Sequence, residues 1–390
     1  MVLIDQGILV PETWDELSLL ETRRARAHDP NVGSMSLTIC PTVNCNFRCT
    51  YCYQHHVGRL MSADVQDRLI AFLNRQQPVV SSLFVTWFGG EPLLGFDVIQ
   101  QLTPRLRALV PDAAYSAHII TNGSLLTRDI STRLVDLGVE SAQVTLDGPR
   151  TRHNERRPLA RGQSTFDRIL EHLREADPRL AFLFASIPTV ATRTKLRICS
   201  ISLTMRAWRA RSGVLRAGDG IHRRLRRHRG ALPGGQRMVT LNVRLRLAAM
   251  ERGYGTVALP VSRTGMCIAD DPRGWVVTPE GRLFKCWNDV TTPERAVYDI
   301  VRHEQTPEMK SELERWNAWS PFRLTDCVDC KTLPQCHSGC AHIAMKQEGP
   351  LTHGDCSELK WNLPETIAMY YLAQARQPAM RRYIPLQPVS

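Results

Sequence analysis

Cys45, Cys49 and Cys52 stand in a C-x3-C-x2-C spacing just past a short apolar run. With cysteine at about 3% of residues, two more at fixed offsets arise by chance roughly once in a thousand per starting cysteine, so a shared ligand is the better explanation. Three thiolates satisfy three irons of a four-iron cluster and leave the fourth iron open. The spacing also suits zinc, with Cys40, His55 or His56 as the fourth ligand. A second group occupies the C-terminal part: Cys267, Cys286, then Cys327-x2-Cys330-x5-Cys336-x3-Cys340, then Cys356. These seven thiols again indicate metal, and C-x2-C alone serves iron-sulfur or zinc sites. The lone Cys199 has no assignable role.

Such ligands need elements to hold them. From residue 34 to about 190, short apolar runs alternate with helical patterns, which predicts an α/β fold with a parallel sheet and covering helices. Strands are expected at 35–39, 83–88, 115–121, 141–146 and 181–187. Helices are expected at 62–75, capped by Ser62 with Val65, Leu69, Phe72 and Leu73 on one face, at 127–137 from Thr127 to just before Gly138, and at 164–176. In this architecture ligands bind at the carboxyl ends of the strands. The first triad follows the first strand, Gly89-Gly90-Glu91-Pro92 the second, and Thr121-Asn122-Gly123 the third. The first 33 residues read as an extended stretch and a helix around Trp14, Leu17, Leu19 and Leu20, too short for a separate module.

A chain of 390 residues accommodates a full catalytic domain and a smaller one. The amino terminus lacks a basic-then-apolar signal pattern and no apolar run is long enough to span a bilayer, so a cytoplasmic protein without a membrane partner is expected. Cysteines clustered in a reducing compartment mean metal rather than disulfides. The net charge of +12 is local, because 13 of the 50 Lys and Arg but one of the 38 Asp and Glu fall within 191–240, leaving 37 of each elsewhere. A nucleic-acid partner is therefore not expected for the chain as a whole.

The order of these motifs resembles the radical SAM superfamily, and Val144-Thr-Leu-Asp-Gly-Pro149 with His153 and Arg157-Pro158 resembles a motif of its peptide-modifying members. The resemblance covers about 34–190. It implies a partial (β/α)6 barrel in which Cys45, Cys49 and Cys52 hold a [4Fe-4S] cluster whose open iron chelates S-adenosyl-L-methionine. It further implies cofactor contacts from Tyr51, Gly89, Gly90, Glu91, Asn122, Thr145 and Arg157. Tyr51 would lie by the adenine, Gly89-Gly90-Glu91 by the methionine amino group, Thr145 by the ribose and Arg157 by the carboxylate. The blander readings of Tyr51 and Arg157 are a packing aromatic and a solvated cation.

The second cysteine group is similar to the SPASM auxiliary-cluster domain. That likeness implies two auxiliary [4Fe-4S] clusters, an outer one on Cys327, Cys330, Cys336 and Cys356, and an inner one on Cys267, Cys286 and Cys340. Relatives with a complete inner set carry a cysteine six residues before Cys267; Val261 stands there here. The inner cluster is thus one cysteine short, open to a substrate thiolate, water or another side chain. The implied organisation is an N-terminal extension at 1–33, a radical SAM partial barrel at 34–250, a SPASM domain at 251–370 and a tail at 371–390. The implied activity is reductive cleavage of S-adenosylmethionine to generate a radical that modifies a peptide or protein side chain, with a thioether or carbon crosslink in a ribosomal peptide as the leading product. Formylglycine formation of the sulfatase-maturating type and a non-catalytic zinc protein are the alternatives. Expected partners are the peptide or protein substrate, an electron donor such as flavodoxin or ferredoxin, and a separate leader-recognition protein, since thirty residues cannot form the winged helix that many relatives carry.

Residues 191–240 break the pattern, with dense arginine and little periodicity beyond ICSISL. Two compensating frame shifts account for this composition, since a GC-rich frame read out of register yields Arg, Gly, Ala and Ser. A basic loop for an acidic leader peptide or nucleic acid is the other account.

Overall fold

The computed structural model describes residues 13–29, 33–56, 58–76, 79–186, 201–205, 243, 267–346, 354–356 and 359–376. Five strands pair in parallel in chain order: β1 Ser34–Thr42, β2 Ser82–Gly89, β3 Tyr115–Thr121, β4 Val139–Thr145 and β5 Ala181–Ser186. Helix α1, Glu16–Ala27, precedes them. Parallel neighbours need crossovers, and each contains a helix: α2 Ala63–Asn74, α3 Phe96–Arg107, α4 Arg128–Asp136, and the pair α5 Arg150–Arg156 and α6 Phe166–Glu175. Leu37, Ile39, Val85, Trp87 and Ile119 from the strands are buried with Leu69, Leu102, Leu134 and Ile169 from the helices. Ser62 and Thr127 cap α2 and α4 as expected, their hydroxyls accepting from the N–H groups of Val65 and Ile130. At α6 the cap comes from outside the helix, Asn154 Oδ1 accepting from the N–H groups of Thr165 and Phe166, both at 3.0 Å.

The sheet does not stop at these five strands. Its order is β6-β5-β4-β3-β2-β1-β7-β8-β9. β6, Ile201–Met205, lies antiparallel on β5, where a repeating β/α barrel would add a parallel strand. The rest of the arginine-rich stretch, Cys199 included, falls outside the described residues. β7 Gly274–Val277 runs parallel to β1, and β8 Arg282–Phe284 and β9 Tyr298–Asp299 continue antiparallel. The C-terminal part therefore begins as an extension of the same sheet across the boundary expected near 250.

A second buried cluster joins Leu20 of α1 to Trp316, Trp319, Phe322, Leu324 and Leu333. It is built by α7 Pro307–Asn317 and the one-turn helices α8 Thr325–Val328, α9 Leu333–Cys336 and α10 Ala341–Ala344. No helix among the described residues is long and apolar enough to cross a membrane.

Candidate active site at the carboxyl ends of the strands

The loop leaving β1 carries the first triad and is pinned by a segment from after α5. Arg48 N–H donates to Pro158 O at 2.9 Å, Thr50 N–H to Arg156 O at 3.0 Å and Ala160 N–H to Asn46 O at 2.8 Å, with Phe47 bridging Leu159. The Arg157-Pro158 motif is thus the backbone partner of the cysteine loop. Cys45 and Cys49 are half-buried and Cys52 is exposed. Burial, reinforced by the nearby Glu91 charge and by those of Cys49 and Cys52, pushes Cys45 up to about 12, and burial likewise raises Cys49. A metal that binds here must displace those protons. Cys40 is not part of this loop: it is wholly buried in a cluster with Val276, Phe284 and Val290.

Glu91, just past β2, is completely buried, and its carboxylate and backbone tie it to the ends of β3 and β1. It accepts from Thr121 Oγ1 at 2.7 Å, Asn122 N–H at 2.7 Å and Leu93 N–H at 3.1 Å, while its own N–H donates to Asn44 O at 2.9 Å. Burial raises its pKa against the pull of these donors. Gly89 and Gly90 press against the start of the cysteine loop: a Cβ on Gly90 would meet the carbonyl oxygens of Asn44 and Val43 at 2.4 Å. Asn122 turns its amide nitrogen to Asn46 Oδ1 at 2.8 Å and towards Cys45 Sγ at 3.9 Å, and Ser124 closes the ring of contacts. Asn46 and Ser124 escaped the sequence reading because polar loop residues are too common to stand out.

Opposite these lies an aromatic and charged group. Tyr51 O–H donates to Asp147 Oδ2 at 2.7 Å, and Arg157 Nη1 donates to the Tyr51 hydroxyl. The Arg156 guanidinium stacks over the Tyr51 ring at 4.9 Å and reaches Asp147 at 3.3 Å. Arg157 is buried and its Nε has no hydrogen-bond partner, so a buried N–H is left for an acceptor that only a ligand or water could supply. Thr145, at the end of β4, is half-buried. Asp147 was in view within the Val144–Pro149 motif but unassigned; its role depends on a partner 96 residues away.

The second cysteine group divides in two. Cys327, Cys330, Cys336 and Cys356 line a single recess with Thr332 and Lys360. Gly339 permits this: a Cβ there would overlap Asp355 O at 1.7 Å, so only glycine lets the 354–356 segment lie against the turn between Cys336 and Cys340. Burial pushes the Cys330 thiol up, but hydrogen bonds from Thr332 and the charges of Lys360 and Lys331 outweigh it and lower its pKa. Cys267, Cys286 and Cys340 form the other set, each near enough for its charge to act on Cys286. Cys286, Asp289 and His342, all buried, form one further cluster of metal-ligating atoms within 4.8 Å of one another. Asp289 and His342 were overlooked in the sequence, although Cys286-x2-Asp289 and Cys340-x-His342 are ligand-like spacings. Tyr53 stands near Cys52 and Cys286 at once, so the inner set faces the triad. By contrast, the recess lined by Arg107, Asp112, Tyr115, Gly138 and Ala181 lies at the amino ends of β3, β4 and β5, away from every cysteine group.

The comparisons agree with this geometry. The sequence model of the Radical SAM superfamily matches residues 39–179. GTP 3′,8-cyclases of Brucella ovis and Brucella canis are each 34% identical over 116 residues, which is 28% of this chain and 32% of theirs. The chain therefore matches about a third of the length of these curated relatives. Among solved structures, histidine-tagged anSMEcpe with bound AdoMet is similar at TM-score 0.60 and 15% identity, covering 87% of this chain and 96% of that one. Native anSMEcpe with bound AdoMet and Cp18Cys peptide is similar at TM-score 0.55 and 16% identity, covering 87% and 99%. At such identity the likeness is one of fold, over nearly the whole of the solved chains. The stretch that matches the Radical SAM superfamily model, residues 39–179, is the one that carries the cysteine loop, buried Glu91 and Arg157.

Proposed function

We propose that the protein is a radical SAM/SPASM enzyme that modifies a peptide or protein side chain, with a crosslink in a ribosomal peptide as the leading product. The observation that carries the reading is the placement of the Cys45, Cys49 and Cys52 loop beside buried Arg157, whose Nε lacks a partner. Three thiols and an orphaned guanidinium N–H suit a [4Fe-4S] cluster with an amino-acid cofactor whose carboxylate needs a cation. When bound, that cluster and S-adenosylmethionine supply reductive cleavage of the sulfonium bond and removal of hydrogen from a substrate carbon. The chain's own residues hold and shield the site. Arg157 and Tyr51 orient the cofactor's carboxylate and base, Asn122 supports Cys45, and Gly90 sets the depth of the loop.

The two further cysteine sets support two auxiliary clusters. A peptide substrate is supported by a fold shared with anSMEcpe, which was solved with a bound peptide. The partial match to GTP 3′,8-cyclases lies in one 116-residue stretch and assigns no substrate. Flavodoxin or ferredoxin would deliver the electron, and a separate protein would recognise a leader peptide.

Anaerobic reconstitution of the full chain tests the reading. Roughly twelve irons per chain and reductant-dependent release of 5′-deoxyadenosine are expected; stoichiometric zinc with no iron would overturn it. For the substrate, deuterium should pass into 5′-deoxyadenosine from a labelled cysteine-bearing peptide encoded beside the gene. Transfer from labelled GTP instead would discard the peptide assignment.

A further inference from the structure

We propose that His342 supplies the fourth ligand of the inner auxiliary cluster, alongside Cys267, Cys286 and Cys340. The inference rests on the two-auxiliary-cluster reading above and replaces the cysteine that Val261 does not provide. One ring nitrogen of His342, one carboxylate oxygen of Asp289 and Cys286 Sγ lie within 4.8 Å of one another, and all three residues are buried. Among the described residues this is the one such cluster. His342 Nδ1 lies 3.2 Å from Asp289 Oδ2. That is the arrangement in which a carboxylate holds a metal-ligating imidazole, fixing Nδ1 as the protonated nitrogen and leaving Nε2 to bind.

The backbone sets His342 two residues past Cys340 on the same short helix. Cys340 is the N-cap of α10, its carbonyl oxygen accepting from Ala344 N–H at 3.0 Å. The carboxylate of Asp289 lies close enough to act on both Cys286 and Cys340. Cys286 and Asp289 are in turn linked through a short 3-10 turn, Trp287–Asp289, with Asp289 N–H donating to Cys286 O at 3.1 Å. Ligand atoms from β8's end and from α10 thus meet at one buried point. A histidine ligand would close the inner cluster, suiting it to carry electrons rather than to bind a substrate thiolate. A neutral imidazole in place of a thiolate also removes one negative charge, which raises the reduction potential.

The test uses the full chain with Cys45, Cys49 and Cys52 replaced by alanine, so that only auxiliary clusters load. Pulsed EPR on the reduced protein should detect a nitrogen coupling that changes on 15N-histidine labelling, with about eight irons per chain. His342→Ala should abolish the coupling. His342→Cys should abolish it while keeping the iron and lowering the potential, and Asp289→Asn should retain it. Eight irons without nitrogen coupling, coupling that survives His342→Cys, or zinc at Cys286 beside an intact outer cluster would each overturn the assignment while leaving the outer cluster standing. Absence of iron altogether would defeat the proposed function as well.

Discussion

Arg157 and Glu91 were both read from the sequence as cofactor contacts, yet the fold gives them different work. Arg157 keeps one buried donor in reserve, whereas both carboxylate oxygens of Glu91 are occupied within the protein. Charge-assisted hydrogen bonds of the Arg157 type contribute about 1.5–3 kcal/mol. Arg157→Lys, which loses the planar fork, is therefore expected to weaken S-adenosylmethionine binding at least about tenfold, measured by equilibrium dialysis on the reconstituted protein. Unchanged affinity would return Arg157 to a purely structural role. Glu91→Gln sets an amide N–H₂ against a buried N–H of Asn122 or the Thr121 hydroxyl, at a cost of about 1–3 kcal/mol. Its melting temperature should fall by several degrees even without cofactor. Loss of cofactor binding at full stability would contradict the geometry described here.

The elements explain what holds the cysteine loop in place. The 156–160 segment backs it, and the His153 imidazole anchors that segment: Asp147 N–H donates to Nδ1 at 3.2 Å, and Nε2 lies 3.1 Å from Thr165 Oγ1. Because the Thr165 hydroxyl donates to Arg157 O, the imidazole must be neutral with its proton on Nε2. Burial, with the charges of Arg157 and Arg156 beside it, lowers its pKa to about 4. Between pH 6.5 and 4 the unfolded chain therefore binds the proton that the folded one refuses, and stability falls as the pH drops through that window. The loss from this residue is about 3 kcal/mol. Denaturant titrations at about pH 7 and about pH 4.5 should show a smaller decline for His153→Gln than for the wild type; equal declines would count against a neutral buried histidine. Likewise Gly90→Ala, which drives a Cβ into two carbonyl oxygens, should destabilise more than Gly148→Ala, where the left-handed φ of 87° is strained but nothing lies within 4 Å. Melting temperatures of the two variants decide between them.

Across the whole molecule, one sheet carries the triad at β1 and hands over to the auxiliary part at β7, its parallel neighbour. Helix α1 docks on that auxiliary part rather than on the barrel helices: Leu20 enters its core and Arg24 makes a paired contact to Asp270, three residues past Cys267. Removing a partner from a buried ion pair costs about 3–5 kcal/mol. Arg24→Ala is expected to lower the melting temperature and the iron content together, and unaltered iron would separate the helix from the inner cluster. At this scale too, resequencing the gene across residues 191–240 decides between the two accounts of that segment. A frame change there should restore alternating apolar pattern, and one unbroken frame would leave the basic loop.

How much was legible follows from the distance over which each feature is decided. Short apolar runs, cap residues and cysteine spacing are local, so the sequence alone determined the five parallel strands, the helices at 62–75, 127–137 and 164–176, the three thiol sets and the carboxyl-end location of the site. Helix α3, whose Pro104 interrupts the usual signature, and the short α5 were not foreseen. Side-chain meetings across dozens or hundreds of residues were decided only by tertiary structure: Tyr51 with Asp147, Asn122 with Asn46, Glu91 with two strand ends, and His342 with Asp289 and Cys286. The physical reason is burial. A carboxylate or imidazole removed from water must find its partners wherever the packed chain happens to bring them, and no spacing in the sequence records which those will be.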